Sequence, residues 1–168
     1  MDKKYIIIGI FVIVFIGIII FFLGRKKNVE IKEVIGFHFS YSKGYMMNAN
    51  INYEYYYDKE TNKYIVSVKP YLIAEEDKVE KEITKEFGDE IKKILVKYDL
   101  GKWNGFKKYA KDVLDGDSFS FHVRMKDEQK IEADGYMMWP DNYRLVRDEY
   151  DKLFMKIYND EKGIKENE

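Results

Sequence analysis

Residues 5–23 read YIIIGIFVIVFIGIIIFFL and contain no charge, with glycine as the only interruption. Wound as a helix at about 1.5 Å per residue, such a run reaches about 28 Å, the thickness of a bilayer's hydrocarbon. A cleavable signal peptide has a shorter apolar region, about 7–15 residues, that ends in a small-x-small cleavage site. Here Phe21-Phe22-Leu23-Gly24-Arg25-Lys26-Lys27 supplies no such site. The expectation is an uncleaved single-pass anchor. Gly9 and Gly17 share a helix face, but Ile13 between them breaks the every-fourth-residue pattern of close helix pairing. The mean hydropathy of the whole chain is −0.49 despite this segment, so everything after it is distinctly polar. That composition excludes a multi-span protein and calls for one anchor followed by one folded domain.

Direction is less sharply specified. Lys3 and Lys4 precede the anchor and Arg25, Lys26 and Lys27 follow it, so the charge bias is nearly balanced and leans toward a cytoplasmic C-terminus. A long apolar segment so close to the N-terminus nevertheless acts as a signal anchor, and a large following domain translocates despite adverse charge. The domain is accordingly expected on the extracytoplasmic side.

Basic and acidic residues number 29 and 30, and residues 1–24 contribute only Asp2, Lys3 and Lys4 to that balance. A near-neutral domain of mixed sign lacks the clustered basic surface that nucleic acid requires. There is no cysteine, which excludes disulfides, a thiol nucleophile, thiolate metal sites and a lipid-bearing cysteine anchor. No phosphate-cradling glycine loop, nucleophile elbow, Ser-His-Asp order or zinc-protease helix is present, and no cofactor is implied.

After a charged linker over residues 24–33, three segments alternate apolar and polar residues with the period of a strand. Phe37, Phe39 and Tyr41 alternate with His38, Ser40 and Ser42; Ile51, Tyr53, Tyr55 and Tyr57 with Asn52, Glu54 and Tyr56; Tyr64, Val66 and Val68 with Ile65, Ser67 and Lys69. A polar DKETNK turn joins the last two. Val79, Ile83, Phe87, Ile91, Ile94, Leu95 and Tyr98 then recur at helical spacing, with Gly101 as the stop. Residues 101–117 read as a connection. Phe119, Phe121, Val123 and Met125 mark a fourth strand, and Ile131, Ala133, Gly135 and Met137 a fifth, with residues 127–130 as the hairpin turn. Trp139-Pro140 ends the sheet region and Asp141 or Asn142 caps a last helix carrying Tyr143, Val146, Tyr150, Leu153, Phe154 and Ile157 on one face. The expected domain, residues 34–158, is an α+β two-layer sandwich in the order βββ-α-ββ-α. An antiparallel sheet of five strands carries both helices on one face, the other face is open, and residues 159–168 form a charged tail. Gly-Tyr-Met-Met occurs at residues 44–47 and again at 135–138, but the flanks do not match and no duplication is inferred.

The pattern Trp103-Asn104-Gly105-Phe106, Val113-Leu114-Asp115-Gly116, Phe119, Gly135-Tyr136 and Pro140-x-Asn142-Tyr143 resembles one found in small membrane-anchored or lipoprotein-type surface proteins of anaerobic low-GC Gram-positive bacteria. The resemblance covers the C-terminal third. It implies an exported location, brings no activity with it, and its motifs act as structural punctuation.

His38 and His122 are the only histidines, and both fall on polar strand faces. If their strands are neighbours, they meet Glu54, Arg124, Glu132 and Asp134 on the open face, where two imidazoles and a carboxylate bind metal or exchange protons. The alternative is a pair of solvated sheet histidines. Tyr56, with Tyr71 and Tyr136, is a candidate aromatic binding surface, against a reading as ordinary half-buried strand tyrosines. Asp115 and Asp117 are the nearest thing to a metal motif, but they lack the alternating donors of a calcium loop. A turn with Gly116 at positive φ and Asp115 bonding its own backbone accounts for them. Trp103 and Trp139 are read as plugs at the ends of the core.

Two function classes follow. The first is a non-catalytic module that meets a protein or a cell-envelope ligand at the membrane surface. The second is a membrane-tethered hydrolase or metal-binding protein using His38 and His122. The partner common to both is the membrane, through residues 5–23. The full-length protein is expected to stay in the membrane fraction through an alkaline carbonate wash, and a variant lacking residues 5–23 to leave it. Protease treatment of intact cells is expected to digest the domain; full protection, while a surface control is cut, would place it in the cytoplasm instead.

Overall fold

The computed structural model describes residues 28–42, 50–70 and 74–164. The proposed anchor at residues 5–23 lies outside these residues, as does Tyr71. No described helix is long and apolar enough to cross a membrane.

Seven strands form one sheet: β1 (Val34–Ser42), β2 (Asn50–Asp58), β3 (Lys63–Lys69), β4 (Val79–Ile83), β5 (Phe106–Tyr109), β6 (Ser118–Met125) and β7 (Lys130–Tyr136). Their order across the sheet is β4-β3-β2-β1-β6-β7-β5. Two helices, α1 (Glu86–Lys97) and α2 (Tyr143–Lys162), complete an α+β domain. The five expected strands are present, and two more extend the sheet at its edges.

Both additions correct the sequence reading. Val79 and Ile83 lie four residues apart, a spacing that suits a helix and also keeps both side chains on one face of a strand. In the structure this segment pairs antiparallel with β3, Tyr64 opposite Ile83, and the helix begins only at Glu86. At the other edge, Phe106–Tyr109 falls within what reads as a connection. It pairs with β7 in the parallel sense, Phe106 opposite Ala133, so the sheet is mostly but not wholly antiparallel. Four residues with one buried side chain carry too little periodicity to announce a strand.

Alternation then decides what is inside. Phe37, Phe39, Tyr53, Tyr55, Val66, Val68, Phe121, Val123, Ile131 and Ala133 all point to one face and are buried. Helix α1 covers this face with Phe87, Ile91, Ile94 and Leu95, and α2 with Tyr143, Val146, Tyr150, Phe154 and Ile157. The seam is aromatic: Phe154 stacks on Tyr53 at 4.9 Å and on Phe37 at 5.5 Å and meets Phe87 edge-on at 5.3 Å. Such pairs add specific geometry to the area they bury. Gly88 lets α1 approach closely, since a Cβ there would stand 2.8 Å from the Tyr55 hydroxyl and 3.0 Å from the Val34 carbonyl.

Chain ends differ from expectation in detail. Helix α1 is stopped by Asp99 in the left-handed region (φ 52°), while Gly101 is buried where a side chain would collide with the Val29 carbonyl. Asn142 is the N-cap of α2, but with φ 62° and no side-chain cap bond. Helix α2 continues past residue 158 to Lys162, where Gly163 takes a left-handed conformation and the Ile164 N–H bonds the Asn159 carbonyl at 2.9 Å. Trp103 is buried and its Nε1–H donates to the Asp141 carbonyl at 3.1 Å, as a core plug should. Trp139 is not a plug: it stacks on Tyr143 at 4.6 Å and remains exposed.

One polar clamp sits where α2 meets the sheet. The Tyr41 and Tyr53 hydroxyls donate to Asp151 at 2.7 and 3.0 Å, whereas the hydroxyl of fully buried Tyr150 has no partner among the described residues. An unpartnered buried hydroxyl costs desolvation and returns nothing. Tyr150→Phe is therefore expected to raise stability by about 1 kcal/mol, and Tyr53→Phe, which removes a bond to a carboxylate, to lower it by about 1–2 kcal/mol. Thermal and urea unfolding of the two variants check the opposite signs.

Candidate functional site

The face opposite the helices is uncovered by any described element, and its side chains fall into rows set by strand register. His38 on the central strand stands opposite Glu54 of β2 and opposite His122 of β6, which in turn faces Glu132 of β7. The row above holds Tyr56, Gly36, Arg124 and Lys130; the row below holds Asn52, Ser40, Ser120 and Asp134. Six of the eight candidate residues, His38, His122, Glu54, Arg124, Glu132 and Asp134, are thus brought together, and Tyr56 borders them. Tyr136 is not part of this group. It pairs with Ser118 near the opposite end of the sheet and donates its hydroxyl to the Val113 carbonyl at 2.9 Å, so it builds no common aromatic surface with Tyr56.

The imidazoles lie side by side, ring centroids 5.7 Å apart and planes tilted by 33°. Each has its own carboxylate: His38 Nδ1 is 3.3 Å from Glu54 Oε1, and His122 Nε2 is 3.5 Å from Asp134 Oδ1. Serines complete the set. Ser40 Oγ is 3.2 Å from His38 Nε2, and Ser120 Oγ is 3.3 Å from His122 Nε2 and donates to Asp134 at 2.8 Å. The hydrogen bond from His38, with help from Asn52 and against a desolvation penalty, holds the Glu54 carboxyl below the usual glutamate range. The Glu132 carboxyl is also held low, chiefly by Lys130 at 2.6 Å.

Arg124 is placed differently. A Cβ on Gly36 would lie 3.3 Å from its Nε and 3.4 Å from its Nη2, so the guanidinium side chain lies across the bare backbone of that glycine. No hydrogen bond or ion pair connects it to another described residue. Between Tyr56 and Arg124 the face forms a depression of about 840 Å³ bordered by His38, His122, Glu54 and Glu132. Burial pushes the Tyr56 hydroxyl up from its ordinary value.

Chemically this is a polar face of imidazoles, carboxylates and hydroxyls, on which the Arg124 guanidinium has no ion pair among the described residues. No group of three His, Cys, Asp or Glu among the described residues is arranged to hold a metal ion. Asp115 and Asp117 are both exposed. The turn around them also differs from expectation: the left-handed residue is Asp112 (φ 62°), while Gly116 has no side chain because Met137 and Tyr136 occupy its space.

Two features escaped the sequence. The Ser40–His38–Glu54 chain was signalled by period two, which puts residues 38 and 40 on one face, but the cross-strand partner depends on register. The Asp151 clamp was signalled only by an acidic residue beside Tyr150 at the edge of an apolar stripe. Burial pushes its carboxyl above the usual aspartate range although both tyrosines and Arg147 oppose the shift.

Compared with known proteins, the chain matches no family model and no curated protein.

The His38 bond is open to measurement. A carboxyl depressed in the fold stabilises above its unfolded value and loses that contribution as pH falls through its folded value. Side-chain carboxyl NMR is expected to show Glu54 titrating below the ordinary glutamate midpoint in the native protein and returning upward in His38→Ala. An unchanged midpoint would refute the bond.

Proposed function

We propose that this is a non-catalytic binding domain, held at the membrane surface by residues 5–23, that captures an acceptor-rich, carboxylate-bearing ligand of the cell envelope on its open sheet face. The observation that carries this reading is Arg124: a guanidinium with no counter-ion among the described residues, lying in a depression among imidazoles and a tyrosine. Arginine presents a rigid fork of donors suited to carboxylates, and its neighbours Glu54 and Glu132 already have partners of their own. The extracytoplasmic location rests on the signal-anchor argument and on the resemblance to exported proteins.

Cosedimentation of the full-length protein with purified cell-wall sacculi tests it. The wild type is expected to pellet, and Arg124→Ala to bind about tenfold more weakly, roughly 1.4 kcal/mol. Equal binding by the variant, or none by the wild type, sinks the proposal.

A second reading, a tethered hydrolase, has one observation in its favour. Ser40, His38 and Glu54 form a hydrogen-bonded chain in the order of a nucleophile, base and orienting acid. Against it, Ser40 sits in the middle of a strand paired on both sides, so the surrounding backbone N–H groups belong to ladders and offer no oxyanion hole. An activity-based fluorophosphonate is expected not to label the protein; labelling that Ser40→Ala abolishes would establish the hydrolase.

A further inference from the structure

The structure carries a second surface, at the edge where the chain enters the domain. Val29 is buried and its N–H donates to the Gly101 carbonyl at 3.3 Å, so the polypeptide is fixed to the domain beside Gly101. Only five peptide steps separate Leu23 from Asn28, and a fully extended chain covers at most about 3.5 Å per step, or about 17 Å in all. The polar layer of one leaflet takes up about 5–8 Å of that reach. The domain is far larger than the remaining gap, since α2 alone is about 30 Å long. Some part of the domain next to Gly101 must therefore lie close to the headgroups.

The side chains on that edge suit such a neighbour. Next to Gly101, a cleft of about 390 Å³ is lined by Asp99, Lys102, Lys108, Trp139 and Asp141. Trp139 and Pro140 also line a second, shallower cleft of about 270 Å³ with Arg144 and Leu145, so the two are continuous. Along this edge Trp139 is 38% exposed, Met138 38% and Leu145 56%, large apolar groups that a folded domain otherwise hides. Lysine and arginine stand among them. Lys102 is paired with Asp99 at 2.5 Å; Lys108 lies over the Phe106 ring at 5.4 Å; Asp141 is the other acid on this wall. The Met138–Pro140 segment is bracketed by two non-glycine residues in the left-handed region, Met137 (φ 53°) and Asn142 (φ 62°). The fold accepts strained backbone on both sides of a segment that leaves its tryptophan in solvent.

We propose that the Trp139 edge rests on the bilayer into which the chain's own anchor runs. Trp139, Met138 and Leu145 enter the headgroup region, and Lys108 and Arg144 meet lipid phosphates. Tryptophan belongs at this level because it joins a large apolar ring to a polar N–H, and basic side chains beside it gain from anionic lipid. Contact here would fix the tilt of the domain and leave the open sheet face standing away from the helix-side edge. The inference rests on the anchored reading proposed above.

The chain contains two tryptophans, and Trp103 is buried, so fluorescence can report on Trp139 directly. Full-length protein is reconstituted into liposomes of phosphatidylcholine and phosphatidylglycerol and recovered by flotation. Emission is then compared between wild type and Trp139→Phe, a change at an exposed position that leaves the core intact. The part of the emission lost in the variant is expected to fall by about half when the lipid is brominated near the top of its acyl chains, and to resist aqueous iodide. Floated protein whose Trp139 is quenched by iodide and not by bromolipid overturns the inference while leaving the anchor standing. Protection from both quenchers overturns it in favour of a protein partner such as a second copy. Failure to float overturns the anchor and the inference together.

Discussion

Strand β1 is hydrogen-bonded on both sides, to β2 and to β6, and the rest of the domain depends on the register of those two ladders. Its odd-numbered side chains, Phe37, Phe39 and Tyr41, go to the helices, and its even-numbered positions, Gly36, His38, Ser40 and Ser42, go to the open face. A slip by one residue on either side would exchange the two sets. The same pairings that align Phe37 with Val123 and Tyr55 also align His38 with His122 and Glu54. The core and the polar face are one geometric object seen from two sides, and burial of the first enforces the alignment of the second.

Aromatic rings make up nearly half of the buried residues in the core that fixes this register. Phe154 reaches Phe37, Tyr53 and Phe87 at once, which ties α2 to both β1 and β2 and to α1. Rings stacked and crossed in this way tolerate few alternative packings. The clamp of Tyr41 and Tyr53 on Asp151 adds a polar point of reference along the helix. It keeps a half-buried carboxylate bonded, although desolvation resists its charge. Tyr150, one residue earlier and wholly buried, fills volume, and its hydroxyl has no partner among the described residues.

The two surfaces proposed for function differ in how they are made. The open face is ordered by cross-strand pairing, and its imidazoles, carboxylates and serines largely satisfy one another. The Trp139 edge comes from the connection between β7 and α2, where a proline and two left-handed residues carry the chain out of the sheet and into the helix. One surface is rigid because it is sheet. The other is held by the stacking of Trp139 on Tyr143, which offsets the cost of the left-handed backbone at Met137 and Asn142.

Most of this architecture was legible in local periodicity. Alternation marked β1, β2, β3, β6 and β7, and helical spacing marked the buried stripes of α1 and α2, because the hydrophobic pattern of an amphipathic element is a property of the segment itself. The failures share a cause. Val79 and Ile83 fit two periods, and only the vacant edge of β3 decides for a strand. Phe106–Tyr109 has almost no pattern and becomes a strand because β7 lies beside it. For the candidate site, the sequence placed His38, His122, Glu54, Arg124, Glu132 and Asp134 on polar faces, but it set no strand order, and so did not establish that residues 38 and 122 are neighbours. By itself, then, the chain determined which side of each element is apolar, and that residues 5–23 have the length and polarity of a bilayer span. Which polar side chains meet, that Arg124 lies across Gly36 with no ion pair among the described residues, and which tryptophan is left in solvent were decided by tertiary structure alone. Each depends on contacts between residues far apart in sequence, and local chain chemistry carries no record of those contacts.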